Sequence, residues 1–398
     1  MAVSGPGQPS YGKLFDLLRE RPETTRTELV ERSGLSKATV SEAVSSMMER
    51  GLLTEIGKRQ PGRGRSQVVL AFQPAVRLVL GAQFTEHGCH VVLADLRAGP
   101  IAWAERANSA TDPEGFVNAV ADCANELRAK ADAPILGLGV GVPGLVDPSG
   151  RRVVLSVPYG WEQVPIAEML EQRLGMPVVV TNRAKAAALG EFWQGEHDAT
   201  HEHLLYVHMG AGIVAGLVNR GQLYVGHGGA AGELGHTTVL PDGPACACGN
   251  RGCLHMLASE SALVREVRSR VRRQPETPET SVLSLRDLGT LSIGRLQEAA
   301  GAGDQRVLEV VREAGSWAGI ALANTINLLN PSLVVIGGSL AEFGDPFLQS
   351  VRNEVRQRAL WDAIHDVEIA LSRLGDSAGT IGGAAVFLDT VDVGTVLA

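Results

Sequence analysis

Two segments of the chain begin with the same pattern of strand-forming residues, and this internal repeat constrains the fold more than any other feature. The first, VRLVLGAQFTEHGCHVVLADL at residues 76–96, has two apolar, β-branched runs of the kind that form a hairpin. The second, HLLYVHMGAGIVAGLVNRGQLYVG at residues 203–226, repeats this pattern. A duplicated α/β unit predicts two lobes with a ligand site in the cleft between them.

Helical and strand patterns also alternate between these two segments. Residues 113–130 have helical periodicity, PILGLGVGVPGLVD reads as a buried strand that enters a glycine-proline loop, and MPVVVTNRAKAAALGEFW reads as a strand followed by an alanine-rich helix. We therefore place a first α/β lobe at residues 76–195 and a second at residues 196–398. The C-terminal helix of the second lobe is expected to return to the first.

The N-terminal part of the chain, residues 1–72, is set apart by three short helical patterns followed by two strand-like runs. Apolar residues recur at helical spacing in YGKLFDLLRE until Pro22 ends the pattern. Thr25 or Thr27 is placed to cap a second helix that Gly34 ends, and Ser36 is placed to cap a third. Two short helices joined through SGLS, a turn that contains glycine, are typical of a helix-turn-helix.

The third segment, SKATVSEAVSSMMERG, is predicted to be the recognition helix that enters the major groove of DNA. Its apolar face consists of Val40, Val44, Met47 and Met48. Early residues of such a helix approach phosphates and base edges, where short polar or flexible side chains form hydrogen bonds. The residues assigned to DNA contact here are Ser36, Lys37, Thr39, Val40 and Ser41. The alternative is a plain three-helix bundle with a solvated face.

The stretch that follows, LLTEIGKRQPGRGRSQVVLAF, has the pattern of two strands around a basic loop. Arginine on an extended backbone suits a narrow A·T-rich minor groove. Residues 1–70 carry 11 Lys and Arg against 8 Asp and Glu, whereas the whole chain has a net charge of −8. We therefore interpret this stretch as the wing of a DNA-binding domain, with DNA contacts assigned to Lys58, Arg59, Arg63 and Arg65.

A histidine and three closely spaced cysteines form a metal-ligand pattern in GELGHTTVLPDGPACACGNRGCLH. Three thiolates and one imidazole match a tetrahedral zinc ion, which prefers sulfur and nitrogen ligands. The predicted ligands are His236, Cys246, Cys248 and Cys253. Four protein ligands leave no open position, so the predicted Zn²⁺ is structural.

The remaining cysteines and the overall hydropathy indicate the compartment. Five cysteines, three of them within eight residues, argue against a disulfide framework, and we assign Cys89 and Cys123 to the core. The sequence contains no run of about 18 apolar residues, and MAVSGPGQPSYGKLF lacks the pattern of a signal peptide. We expect a cytoplasmic protein with no membrane partner.

Five motifs in the body resemble, in order and spacing, the ROK family of repressors, open reading frames and sugar kinases. They are GVGVPGLVD, TNRAKAAALGE, HMGAGIVAGLVNRGQLYVGHGGAAGELGH, CACGNRGC and NTINLLNPSLVVIGG. The resemblance implies a two-lobed α/β body of the actin-like, sugar-kinase-like (ribonuclease H-like) ATPase fold. It also implies zinc on the same four residues, and the head is similar to that of the N-acetylglucosamine and xylose repressor branch.

The kinase chemistry of that family is missing from this sequence. Family kinases carry an aspartate after an asparagine as general base, whereas here the pair is Asn182–Arg183, and a guanidinium cannot accept the proton. The phosphate loop of the first hairpin has lost its acid, glycine and threonine to Gln83, Thr85 and His87. We interpret the second glycine-rich loop, HMGAGIVAG, as structural.

The resemblance places the effector pocket at Asn182, Arg183, Glu233, His236, His255 and Tyr159. The first, third and fourth of these stand where family members contact sugar hydroxyls, whereas Tyr159 and His255 replace other family residues. Arg183 with His255 predicts a cationic pocket, and hence an acidic or phosphorylated sugar or an amino-sugar derivative. A vestigial, empty pocket is the alternative.

These features together predict a transcriptional repressor of sugar or amino-sugar metabolism or transport, whose affinity for operator DNA changes when a sugar-type effector closes the lobes. Two heads of a homodimer would read a pseudo-palindromic operator, and a tetramer is equally compatible with the sequence. Two other functions remain open. One is an ATP-dependent sugar kinase with a DNA-binding head, and the other is a DNA-binding protein that responds to no small molecule.

Overall fold

The computed structural model describes residues 8–60, 66–85, 88–107, 112–197, 201–273, 282–391 and 396. The elements of the N-terminal head are α1 (Gln8–Glu20), β1 (Glu23–Thr25), α2 (Arg26–Ser33), α3 (Lys37–Glu49), β2 (Leu53–Arg59) and β3 (Gln67–Phe72). Those of the next part are β4 (Leu78–Thr85), β5 (Gly88–Asp95), β6 (Pro100–Ala107), α4 (Pro113–Arg128), β7 (Ile135–Val142), β8 (Leu145–Val146), β9 (Val153–Ser156), β10 (Trp161–Val164), α5 (Ile166–Leu174) and β11 (Val178–Asn182).

The remaining elements are α6 (Arg183–Gln194), β12 (His203–Met209), β13 (Ile213–Asn219), β14 (Gln222–Tyr224), α7 (Leu254–Ala258), α8 (Glu260–Arg273), α9 (Ile293–Gly301), α10 (Gln305–Leu329), β15 (Leu333–Gly337), α11 (Asp345–Arg358), α12 (Trp361–Ile364), β16 (Glu368–Leu371) and α13 (Ala378–Thr390). Among the described residues, no helix combines the length and apolar character needed to cross a lipid bilayer.

The helices of the head begin and end at the residues that the sequence indicates. Thr25 caps α2 in a capping box, in which the amide N–H of Glu28 donates to the Thr25 hydroxyl and the Thr25 N–H donates to the Glu28 carboxylate. Gly34 ends α2 in the left-handed conformation with φ 68°. Ser36 caps α3 by accepting from the Thr39 N–H at 3.1 Å. The predicted helix-turn-helix is confirmed.

The head is completed by a three-stranded sheet in the order β1–β3–β2. The antiparallel pair of β2 and β3 is the predicted wing hairpin. Strand β1 was not predicted, and it pairs Thr24 and Thr25 with Leu70 and Val69 of β3. The ring of Phe15 meets that of Phe72 edge to face at 5.5 Å, so α1 and the sheet share one core.

A short, hydrogen-bonded segment, residues 73–77, joins the head to β4. The Gln73 N–H donates to the Leu52 carbonyl at 2.9 Å, and the Leu96 N–H donates to the Pro74 carbonyl at 3.1 Å. In addition, Nε of Arg97, from the turn between β5 and β6, donates to the Arg19 carbonyl in the last turn of α1 at 2.9 Å. The head is therefore held by its neighbours in the fold and not by a free linker.

The two five-stranded sheets of the body share one topology. Their orders are β6–β5–β4–β7–β11 and β14–β13–β12–β15–β16. In each, the first three strands along the chain form an antiparallel meander, and the next strand of the sheet lies parallel to the first. The repeat in the sequence is therefore a repeat of structure, and the predicted fold class is confirmed.

The described residues divide into two compact units. The first includes residues 1–143, 150–181 and 383–398, and the second includes residues 144–149 and 182–382. The head and the first three strands of the body belong to the first of these units. Helix α6 belongs to the second, where it packs on β12 and β13. The domain bounds 1–72, 76–195 and 196–398 stay a prediction.

Within the second unit, a buried carboxylate ties the end of α6 to the segment after β16. The side chain of Glu191, which is fully buried, accepts hydrogen bonds from His197 Nε2 at 2.8 Å, from the Ser372 hydroxyl and from the Leu374 N–H. Truncation of Glu191 removes the acceptor of all three hydrogen bonds, so each of these donors loses its partner.

We expect Glu191→Ala to lower the free energy of unfolding by about 3–5 kcal/mol, because it removes a buried carboxylate that accepts three hydrogen bonds. Chemical denaturation followed by near-ultraviolet circular dichroism measures this loss. The matched control is Glu298→Ala, whose exposed carboxylate pairs with Arg295, and its effect should stay within about 1 kcal/mol. Equal effects of the two substitutions would contradict the assignment.

Candidate DNA-binding surface, metal cluster and effector site

The recognition helix α3 presents a small polar surface to solvent. Lys37 and Ser41 are exposed, as Ser36 is, whereas Thr39 is half-buried. The hydroxyls of Ser36 and Thr39 lie 2.9 Å apart, so both belong to the cap of the helix. The exposed face also includes four residues that the sequence analysis did not assign, namely Ala38, Glu42, Ser45 and Glu49.

Val40 is a correction to the predicted DNA contacts. Its side chain is 1% exposed, because it packs in the head core with the apolar face of α3. A residue on that face is directed away from the solvent-exposed surface of the helix. Val40 therefore stabilises the head and does not belong to its outer surface.

The wing residues that the structure describes lie on the exposed end of β2. Lys58 and Arg59 are both exposed, and Arg59 forms an ion pair with Glu28 at 3.5 Å. Arg63 and Arg65, the other two predicted contacts, lie outside the described residues. Of the described pair, Arg59 has a carboxylate partner, whereas no ion pair with Lys58 occurs among the described residues.

The four predicted metal ligands come together in the second unit. The ligand atoms of His236, Cys246, Cys248 and Cys253 all lie within 4.8 Å of one another. Cys246 Sγ is 3.7 Å from His236 Nδ1, and Cys248 Sγ is 3.7 Å from Cys253 Sγ. Backbone N–H donation at Asn250 and the neighbouring thiols lower the pKa of Cys248 to about 7, which favours the thiolate. This cluster could hold one metal ion.

Local backbone geometry brings these ligands together. The Cys246 N–H donates to the Asn250 carbonyl at 2.8 Å, which closes the turn between the first two cysteines and the third. Gly252 has φ 63°, and a Cβ there would lie 1.6 Å from the Leu240 carbonyl oxygen. Only glycine fits this position, so the chain can return to place Cys253 beside Cys248.

Asn182 and Arg183 lie at the start of α6. The side-chain oxygen of Asn182 accepts from the Ala184 N–H at 2.8 Å and from the Lys185 N–H, and its amide nitrogen donates to the Gly144 carbonyl at 2.8 Å. The guanidinium of Arg183 lies 3.1 Å from Nε2 of His208. Burial and the charge of Arg183 lower the pKa of His208 to about 3, so the neutral imidazole accepts the hydrogen bond.

The sequence analysis missed Lys185, which is 4% exposed. Its ammonium donates to the Gly229 carbonyl. Burial lowers the pKa of Lys185, and the charge of Glu233 raises it, so that carboxylate is a neighbour of the ammonium. A lysine in an alanine-rich helix is usually solvated, and only the position of the 226–233 loop reveals that this one is buried.

The other predicted pocket residues separate into two groups. His236 and His255 lie together with ring centroids 6.1 Å apart, and His236 directs Nδ1 to the cysteines. Burial, and then the neighbouring His236, lower the pKa of His255, so it does not supply the positive charge that we expected from it. Tyr159 belongs to the first unit, where it packs on Phe84 and Trp161.

The positions that correspond to the family's phosphate loops carry an uncharged amide in one case and have a carboxylate nearby in the other. Gln83 is 9% exposed, and its side-chain oxygen has no hydrogen-bond partner among the described residues. In the second glycine-rich loop, a Cβ at Gly210 would lie 3.5 Å from a carboxylate oxygen of Glu260. Burial, Asp376 and Glu260 raise the pKa of Glu342, so several acidic groups share this region.

Two family models match the chain. The model of the ROK family matches residues 88–390, and a model described as the IclR helix-turn-helix domain matches residues 12–57. The first covers the body and the second covers the head as far as β2.

Proteins with names also match long stretches of the chain. The chain is 31% identical over 369 residues to a protein named xylose repressor from Caldicellulosiruptor bescii, which covers 92% of this chain and 91% of that one. It is 35% identical over 255 residues to a glucokinase from Halalkalibacterium halodurans, which covers 64% of this chain and 76% of that one.

One solved structure resembles nearly the whole chain. It is a ROK family transcriptional regulator described as a homologue of the E. coli MLC protein, with a TM-score of 0.83, 24% identity and coverage of 98% of this chain and 99% of that one. At this identity the likeness shows the fold. The family model covers most of the body, and a relative above 30% identity spans nine-tenths of the chain, so the chain belongs to the ROK family.

Proposed function

We propose that this protein is a sugar-responsive transcriptional regulator, and that it acts as a repressor without kinase activity. The observation that carries the proposal is Arg183, a cation at the position where the family's kinases hold their general base. The helix-turn-helix head and relatives named xylose repressor support the same function.

The head supports binding to double-stranded operator DNA. Its recognition helix exposes Lys37 and Ser41 next to the capped N-terminus, which is the end that enters the major groove in helix-turn-helix proteins. The wing adds Lys58 and Arg59, and the sequence adds Arg63 and Arg65. Two such heads in a homodimer, alone or within a tetramer, would read two half-sites of a pseudo-palindromic operator.

The alternative, a sugar kinase with a DNA-binding head, is less well supported. Phosphoryl transfer requires a base for the sugar hydroxyl and a cradle for phosphate and Mg²⁺. Arg183 cannot be that base, and Gln83 replaces the acid of the first phosphate loop. Glu260 beside Gly210 would repel a polyphosphate at the second loop. The observation that favours the alternative is the 35% identity to a glucokinase.

The metal is proposed to be structural zinc. Zinc–sulfur bonds of about 2.3 Å place two thiolates of a tetrahedron about 3.8 Å apart, and Cys248 Sγ and Cys253 Sγ lie 3.7 Å apart. Zinc would hold the four residues that link the Glu233 loop to α7, and it would leave Nε2 of His236 for the effector.

The DNA-binding proposal predicts the effect of single lysine substitutions in the head. With an operator selected from genomic fragments by the full chain, Lys37→Ala and Lys58→Ala should each weaken binding about tenfold, or ~1.4 kcal/mol. Each should also lower the slope of log Kd against log salt by about 1, because one phosphate contact is lost. Lys130→Ala, which replaces an exposed lysine in the turn after α4, is the control. Unchanged affinity of both head variants would refute these contacts.

The absence of kinase activity is tested by coupled ADP release with Mg-ATP over a panel of pentoses and hexoses. We expect the wild type to remain at background, and Arg183→Asp to remain there as well, because Gln83 and Glu260 still oppose phosphate binding. Sugar-dependent, saturable ADP release by the wild type would favour the kinase instead.

The metal proposal is tested by elemental analysis of purified protein. We expect one zinc per chain, and Cys246→Ser should lose it and lower the melting temperature, because a three-ligand site binds more weakly. Cys123→Ala removes a buried cysteine outside the cluster and should keep the zinc. Full zinc content in the Cys246→Ser protein would exclude this cluster as the site.

A further inference from the structure

The first turn of α6 carries two cations and no acidic residue. They are Arg183 and Lys185, the first and third residues of the helix. The N-terminus of a helix has a partial positive charge, so cations in its first turn are unfavourable and anions are favourable. Asn182 satisfies the amide N–H groups of Ala184 and Lys185, but a neutral amide does not offset the charges.

Neither cation is neutralised by a carboxylate in direct contact. In the described part of the chain, the guanidinium of Arg183 is bonded to His208, which is neutral, and the ammonium of Lys185 is bonded to the Gly229 carbonyl. Glu233 is a neighbour of Lys185 but does not form an ion pair with it. Among the described residues, Glu233 is the carboxylate whose charge acts on Lys185, and no carboxylate contacts either cation.

Burial makes this imbalance costly at Lys185. A desolvated ammonium is destabilising unless charged or strongly polar partners surround it. One carbonyl and one carboxylate beyond contact distance satisfy only part of that requirement. An additional anionic group beside α6 would supply the charged partner that the Lys185 ammonium lacks.

We propose that Lys185, with Arg183, makes the effector site specific for an anionic sugar, one that carries a carboxylate or a phosphate. This rests on the proposed function, since it assumes that the second unit binds a sugar-type effector. Arg183 and Lys185 are two residues apart, so their side chains leave α6 on different sides, and Lys185 is the one that lies beside Glu233. A free amino sugar is excluded, because its charge has the same sign.

Lys185 has a second role in the structure, because its bond to Gly229 holds the loop that bears Glu233. If that were its whole contribution, its replacement would weaken neutral and anionic sugars equally. If Lys185 instead recognises the charge of the ligand, its replacement changes the ratio of the affinities for anionic and neutral sugars. The ratio of affinities therefore separates the two roles.

The test is calorimetry on the full-length wild type with ligands that share one pyranose ring: neutral D-xylose and D-glucose against D-glucuronate and D-glucose 6-phosphate. We expect the anionic member to bind at least tenfold more tightly, and the uronate and phosphate arms identify which anion is used. Lys185→Met, which keeps the apolar stem, should bring the ratio near one, whereas Lys185→Arg should keep it. Lys130→Met is the control.

Tighter binding of the neutral sugars to the wild type overturns this inference and leaves the proposed regulator intact if those sugars change operator affinity. If Lys185→Met weakens the binding of neutral and anionic sugars equally, Lys185 is only a structural support. That result also overturns the inference. Wild-type protein that binds its operator but no sugar of either charge overturns both the effector response and the inference. Metal content and melting temperature of each variant verify its fold, and Arg183→Met provides a second test of the ratio.

Discussion

The cap that Asn182 places on α6 is the contact on which the chemistry of the second unit depends. One side-chain amide accepts from two N–H groups at the helix start and donates to the Gly144 carbonyl, so it fixes where the helix begins. The next residue, Arg183, then lies against His208. In the proposed regulator, this geometry would serve recognition and not catalysis.

Two different interactions hold the loop of residues 226–236 in place, a hydrogen bond near its start and the cysteine cluster at its end. Lys185 holds Gly229 through a hydrogen bond, and His236 belongs to the cysteine cluster. Glu233 lies between these anchors, so its position follows from them. A metal at the cluster would contribute to ligand binding by fixing this loop and not by contacting the reacting or bound group.

Local patterns predicted most of the fold because caps, turns and metal-ligand spacing depend on near neighbours in sequence. Thr25, Gly34 and Ser36 act where their chemistry indicates, and the four metal ligands meet as expected. The misses depend on distant contacts. Thr25 also joins β1 to β3, the burial of Lys185 depends on a loop some forty residues away, and the lowered pKa of His208 depends on its burial and on Arg183.

The hydrogen-bonded segment between head and body determines how far the head can move independently of the lobe that carries it. With residues 73–77 fastened at Leu52 and Leu96, and α1 fastened by Arg97, each head turns with the lobe that carries it. In the proposed homodimer, the bodies would therefore set the distance between the two heads on one operator. One inserted base pair rotates a half-site by about 35° around the duplex. The hydrogen-bonded connection allows little rotation of the head to compensate for this change.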